Sequence, residues 1–197
     1  DLGSARFWIQ HCKNQHNHLC NLTSHADGLR FIDCVARKVV QPTSRADYAA
    51  LSYRWPSIPP TRLPSLRTRS CPAVVRDSME VTLSLGYRYL WVDMFCINQK
   101  DDEDKARQIG NMDLIYRGAE LTIIAACDSA MGLVGVSSPR PEDDILRLGE
   151  VTFFQTIRQP WDGVSLSEWN TRAWTFQEAL LSRRRLIFTE SQALFVC

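Results

Sequence analysis

Three groups of residues in this chain carry side chains able to do chemistry. The first surrounds Asp93, which stands inside the apolar run Tyr89-Leu90-Trp91-Val92-Asp93-Met94-Phe95-Cys96-Ile97. Read as a strand, the run places Asp93 on the side of Trp91 and Phe95 by two-residue alternation. A carboxylate in a buried strand costs several kcal/mol unless it is paired or close to solvent. Open α/β sheets gather their sites at the carboxyl ends of strands, and Asp93, Asn98 and Gln99 would lie there. The plainer account has Asp93 bonded to backbone amides or an arginine, only ordering the loop.

The second group is Arg172-Ala173-Trp174-Thr175-Phe176-Gln177-Glu178. At helical spacing Ala173, Trp174, Phe176, Leu180 and Leu181 form one apolar arc, with Gln177 in its middle and Glu178 at its edge. Trp174 and Glu178 are one turn apart. A glutamate on such a margin is partly dry yet within reach of a pocket, as tuned catalytic carboxylates are. From spacing alone, a solvated glutamate paired with Arg183 or Arg184 is the simpler account.

The third group is Cys12, His16, His18 and Cys20, with Cys34 as a further thiol. Such residues can ligate zinc. The pattern lacks a paired C-x-x-C, so helix-packing cysteines beside exposed histidines are the simpler reading, and no metal is expected. Cys96 is a poor nucleophile candidate, because every histidine lies at or before His25.

The elements that must position these groups alternate along the chain. An extended stretch at residues 29–40 precedes an apolar strand at 48–53. A loop with five prolines follows (Pro56, Pro59, Pro60, Pro64 and Pro72). Residues 72–85 predict a helix with Val75, Met79, Thr82 and Leu83 on one face and Gly86 as its stop. Residues 89–97 predict a strand. Residues 101–118 predict a helix with an acidic first turn and with Ala106, Ile109, Met112 and Tyr116 repeating along it. Strands at 121–126 and 185–188 bracket an excursion over 131–166, with a hairpin near 151–157, and a helix over 169–182. This order argues for an α/β fold with a mainly parallel central sheet flanked by helices.

Composition bounds the function. The chain has 197 residues, 45% of them hydrophobic, and 23 basic residues against 22 acidic ones, a net charge of +1. No field of one sign is available to hold nucleic acid or an anionic membrane, so neither is expected as a partner. Apolar runs such as 121–127 fall far short of the roughly 20 residues that cross a bilayer. Seven scattered cysteines, an odd number, suit a reducing, cytoplasmic setting better than a disulfide scaffold.

Several blocks resemble the fungal HET (heterokaryon incompatibility) domain. Tyr48-Ala49-Ala50-Leu51-Ser52-Tyr53-Arg54-Trp55 resembles its opening block. Leu90-Trp91-Val92-Asp93 with Cys96-Ile97-Asn98-Gln99, then Gln108, Met112, Ile115-Tyr116 and Ala119, resembles the middle one. Gly132-Leu133 and the run from Arg172 to Ser182 resemble the remainder. Trp8, Cys12, His16 and Cys20 resemble a segment that often precedes the domain. Pro56 and Asp104 depart from the family's usual glycine and glutamate. The resemblance implies a lead-in segment over residues 1–45 packed on the core. A HET domain over 46–197 follows, incomplete at its carboxyl terminus and carrying the insertion 131–166.

HET domains are in turn similar to Toll/interleukin-receptor (TIR) domains. The resemblance implies a TIR-like, flavodoxin-like fold with a long insertion before the last helix. Trp174 and Glu178 are similar to a tryptophan and a glutamate four apart on a TIR helix. In TIR enzymes that glutamate is needed to cleave the nicotinamide–ribose bond of NAD. Carried over, Glu178 becomes the catalytic residue, with NAD as substrate and no bound cofactor. Ser52, Arg54, Trp55, Asp93, Asn98, Gln99, Arg172 and Trp174 become its substrate-binding surroundings. The likeness further implies activation by self-association or by a partner protein. Two other accounts stay open: a non-enzymatic death-signalling assembly module, and a zinc or thiol hydrolase.

Overall fold

A computed structural model describes residues 2–16, 20, 26–55, 63–140, 145–154 and 159–197. Helix α1 (Leu2–Gln15) buries Ala5, Ile9 and Cys12, one stripe at helical spacing. It packs on the sheet edge, Trp8 stacking on Phe195 with ring centroids 6.2 Å apart. Strands β1 (Phe31–Asp33) and β2 (Lys38–Val40) form an antiparallel hairpin. β3 (Tyr48–Ser52) is buried throughout, as its unbroken apolar sequence requires. Of the proline-rich loop, residues 56–62 lie outside the described residues.

Helix α2 (Ala73–Ser84) starts after Pro72, whose missing N–H costs nothing at a helix start. It ends where Gly86, at φ +89°, donates to Leu83, and Tyr87 donates to Thr82. Val75, Met79 and Thr82 face the core as the spacing predicts, whereas Leu83 is exposed.

The expected strand over 89–97 is corrected. Only β4 (Tyr89–Trp91) is extended, and α3 (Asp93–Cys96) takes over at the carboxylate. The Asp93 Oδ1 accepts the Met94 N–H at 2.7 Å, and the Cys96 N–H reaches the Val92 carbonyl at 2.7 Å. Uniformly apolar runs do not distinguish strand from helix by periodicity. The expected single helix over 101–118 is two, α4 (Asp102–Gly110) and α5 (Met112–Gly118), parted at Asn111. Asp101 caps α4 by accepting from the Asp104 N–H at 3.0 Å. Ile109 is exposed, while Asp104 and Gln108 are buried instead.

After β5 (Leu121–Ala125) the chain makes a separate antiparallel ribbon, β6 (Ile145–Leu148) with β7 (Val151–Phe154). The end of the expected hairpin, residues 155–157, lies outside the described residues. Leu133 and Val134 of the same excursion are buried, the Leu133 N–H bonding to Asp77 of α2 at 2.8 Å. Helix α6 (Pro160–Ser165) and a 3-10 turn (Glu168–Thr171) lead to α7 (Ala173–Leu181), β8 (Arg185–Phe188) and β9 (Ala193–Val196).

The sheet order is β2-β1-β4-β3-β5-β8-β9. Its central strands β4, β3, β5 and β8 are parallel, and antiparallel strands close both edges. The fold is therefore α/β with a mixed, centrally parallel sheet flanked by helices. Alternate residues of β5 and β8 enter two clusters. Ile123 and Leu186 join the main core, while Ile124 and Ile187 meet Val164 and Trp169 on the other side. Both faces of the sheet are thus covered. No helix among the described residues is long and apolar enough to cross a membrane.

Candidate functional site

The parallel strands deliver their carboxyl ends to one edge of the sheet; α7 starts there, beside Tyr53, and runs back towards the amino end of β5, where Ser182 meets Thr122. Its orientation reverses the one expected from its apolar arc. Thr175 and Glu178 are buried, while Trp174, Phe176 and Leu180 are 51%, 72% and 66% exposed. Polar bonds set this rotation. Ser182 donates to Thr122 of β5 at 2.6 Å, and Ser52, the last residue of β3, donates to Glu178 Oε2. The Trp169 indole N–H donates to the same Ser52 oxygen at 2.8 Å. These inward hydrogen bonds outweigh burial of an apolar arc that solvent can accommodate.

Glu178 does not pair with Arg183 or Arg184, which turn instead to Glu120. It is 5% exposed and borders a cavity of about 240 Å³. Trp55, Asp93, Gln99, Arg172 and Trp174 share this cavity with it. Asp93 accepts the Trp55 indole N–H at 2.7 Å, fixing both in the cavity lining. Gln99 braces the same loop by donating to the Asp93 carbonyl at 3.2 Å. Arg172, at the start of α7, donates to the Tyr53 carbonyl.

The two carboxyls are electrostatically unusual. Burial pushes Asp93 up to about 7, against the pull of the Trp55 and Met94 N–H groups and with help from the charge of Glu178. Burial also raises Glu178, opposed by the Ser52 hydroxyl and the Arg172 charge. Two acids held above their ordinary range beside one cavity suit proton transfer and stabilisation of a cation.

Not every expected site residue meets this cavity. Ser52 is fully buried and acts through Glu178 rather than as a wall. Asn98 turns away: its side chain accepts the Lys100 N–H at 3.2 Å, and its own N–H bonds to Asp104 at 2.9 Å. Arg54 pairs with exposed Glu168 and lines two adjoining cavities, of about 320 and 560 Å³. Trp55 is common to the 320 Å³ cavity and the Glu178 cavity.

Sequence reading missed Lys105, Ile109 and Met112, which also line the Glu178 cavity. Ile109 and Met112 belong to the repeat read along 101–118, and Lys105 stands one turn before Ile109, so only Lys105 lay off the expected face. It also missed Trp169, whose role depends on a contact 117 residues away.

Cys96 is fully buried, its Sγ accepting the Val92 N–H at 3.3 Å, and burial pushes its thiol up to about 12. An attacking thiolate is not available there. Cys34 is likewise buried and raised to about 12, and it is not among the thiols that converge on His16. His18 lies outside the described residues. Cys12, His16 and Cys20 do converge, with Cys197 and away from the Glu178 cavity.

No curated protein and no solved structure matches the chain. The family model for the heterokaryon incompatibility protein (HET) matches residues 48–178. The match begins on the first residue of β3 and ends on the buried glutamate. It spans well over half of the sequence, and the chain belongs to the heterokaryon incompatibility (HET) family.

Proposed function

We propose that this chain is a cytoplasmic cell-death effector that cleaves the nicotinamide–ribose bond of NAD in a TIR-like manner. Membership of the HET family implies the heterokaryon incompatibility role itself. The proposal of NAD cleavage rests on one observation above all. Glu178, buried on α7 and held by Ser52, borders a cavity shared with Asp93, Trp55, Trp174 and Arg172.

Supporting observations agree with it. Taken in chain order, the parallel strands run 2-1-3-4 across the sheet, the order of flavodoxin-like folds. The ribbon β6–β7 stands apart from that sheet, as an insertion would. A cavity of about 240 Å³ is below the roughly 300–1,000 Å³ of drug-sized sites. It suits the nicotinamide riboside half, while the cavity beyond Trp55 takes the remainder near Arg54.

The chemistry is a glycosidic cleavage through an oxocarbenium-like transition state. The bond from the anomeric carbon to the pyridinium nitrogen breaks, and its electron pair neutralises the nicotinamide. The Glu178 carboxylate stabilises the positive charge left on the ribose. Trp55 and Trp174 offer flat walls to the ring. Water bonds to the anomeric carbon, and Asp93 accepts its proton before returning it to solvent. Nicotinamide, ADP-ribose and one proton leave.

A second reading rests on the outer face of α7, where Phe176 and Leu180 are exposed one turn apart. It makes the chain a non-enzymatic assembly module that docks a second copy on this face. The deciding experiment incubates concentrated protein with NAD and follows nicotinamide release. Release by the parent chain and its loss in Glu178→Gln support cleavage. Absence of release from an assembled sample overturns cleavage and leaves the assembly role.

A further inference from the structure

The other cluster of reactive side chains lies at the opposite edge of the sheet. Cys12, His16 and Cys20 follow one another at four-residue spacing. The His16 N–H bonds to the Cys12 carbonyl and the Cys20 N–H to the His16 carbonyl, both at 2.9 Å. Residues spaced this way share a helix face. Cys197, directly after β9, meets them from the far end of the chain. One ligand atom from each of the four lies within 4.8 Å of every other. The His16 Nδ1 is 3.3 Å from the Cys197 Sγ.

We propose that Cys12, His16, Cys20 and Cys197 form a structural zinc site that fastens the amino-terminal helix to the last strand of the sheet.

The geometry favours a metal over chance packing. Zinc–sulfur bonds of about 2.3 Å and zinc–nitrogen bonds of about 2.0 Å in a tetrahedron put neighbouring ligand atoms about 3.5–3.8 Å apart. The four atoms already stand near that spacing. Three thiols and one imidazole are the donor set of closed structural zinc sites, whereas calcium and magnesium require oxygen. On binding, each thiol gives a proton to solvent and three thiolates surround the ion. The centre then carries one net negative charge. A counter-charge is in place: the Arg184 Nε–H donates to the Cys12 sulfur at 3.2 Å, and the Arg184 side chain is fully buried. Such donors to a ligating sulfur tune and hold metal centres. Arg183 adds a bond from its guanidinium to the Cys20 carbonyl at 3.2 Å.

Burial is graded in the way metal entry requires. Cys12 and Cys20 are buried, and His16 and Cys197 are exposed. The site lies at the amino ends of the parallel strands, because Val196 pairs with Arg185, the first residue of β8. It is remote from the Glu178 cavity and does not depend on NAD cleavage.

The test measures metal content of the purified protein, kept reduced, by mass spectrometry. One zinc per chain is expected. Cobalt substitution should give the intense visible bands of a tetrahedral thiolate complex. His16→Ala and Cys197→Ser change exposed residues and so spare the fold; each is expected to weaken zinc binding by ~10²-fold or more. Cys127→Ser, outside the cluster, should retain full occupancy. Chelation is expected to lower the melting temperature by more than about 5 °C. Less than about 0.1 zinc per chain after incubation with zinc overturns the proposal. So does unchanged uptake in the His16→Ala/Cys197→Ser double variant. A disulfide between any two of the cluster's cysteines in fully active, reductant-treated protein also overturns it.

Discussion

The two edges of the central sheet treat acidic side chains in opposite ways. At the amino edge Glu120 and Asp33 are clasped by cations. Glu120 meets Lys13 at 2.8 Å, Arg183 at 2.9 Å and Arg184 at 3.6 Å, and Asp33 meets Arg88 at 2.7 Å. Burial alone would raise Glu120, but the hydrogen bond and charge of Lys13, with those of Arg183, bring it below its ordinary range. The Arg88 hydrogen bond does the same for Asp33. At the carboxyl edge neither Asp93 nor Glu178 takes part in an ion pair among the described residues. Neutral donors hold them instead, and burial raises both. One edge spends its charges on stability. The other keeps two acids ready to change protonation state or to meet a positive ligand.

The largest effect is expected at the carboxyl edge. Glu178→Gln retains an oxygen for the Ser52 hydroxyl, so melting should change little. NAD cleavage should fall on the order of 10³-fold, or about 4 kcal/mol of barrier. Parent-like nicotinamide release from this variant would remove the functional half of the contrast.

Next comes the amino edge. Glu120→Ala leaves the fully buried Arg184 and the nearly buried Arg183 without their shared carboxylate. A loss of about 3 kcal/mol in urea denaturation is expected. A loss below about 1 kcal/mol would mean that this cluster is not structural.

Asp93 and Asp33 should then give opposite pH signatures. Asp93 is raised in the folded chain, to about 7, so the native state keeps its proton longer than the unfolded chain. Its contribution is full below the unfolded value near 3.8 and is lost as pH rises towards about 7. Asp33 is lowered, so its contribution is full above 3.8 and lost as pH falls below it. Asp93→Asn should flatten the decline between pH ~4 and ~7, by a few kcal/mol (roughly 1.4 kcal/mol for each pH unit between the two values). Asp33→Asn should flatten only the acid limb. Thermal melts across this range decide it, and identical profiles would erase the distinction. In turnover, the rising limb near pH 7 should disappear with Asp93→Asn.

The smallest effect belongs to Arg54. Its partner Glu168 is exposed, and Arg54→Ala should shift stability by less than about 0.5 kcal/mol. Any larger shift would give Arg54 a structural role rather than one at the adjoining cavities.

Much of the fold was legible because its signals are local. Pro72 and Gly86 bracket α2 as their backbone preferences dictate, and the apolar runs at β3 and β5 are strands buried on both faces. The misreadings share a cause. In 89–97 every residue but Asp93 is apolar, so no period distinguished strand from helix. In α7 the apolar arc faces solvent, because Glu178 and Ser182 find partners inside. Asn98 carried a family motif, yet its side chain serves the turn that leads into α4.

By itself the sequence determined the alternation of the four parallel strands with helices, the near-neutral charge and the identity of the acids and thiols, since these follow from residue type and spacing. Only the tertiary structure decided which acids stay unpaired and which arginines are spent on Glu120. It alone brought Cys197 to Cys12, His16 and Cys20. Those outcomes depend on contacts between residues far apart in sequence, from 38 positions for Trp55 and Asp93 to 181 for His16 and Cys197, where burial and hydrogen bonding, not local propensity, set the energy.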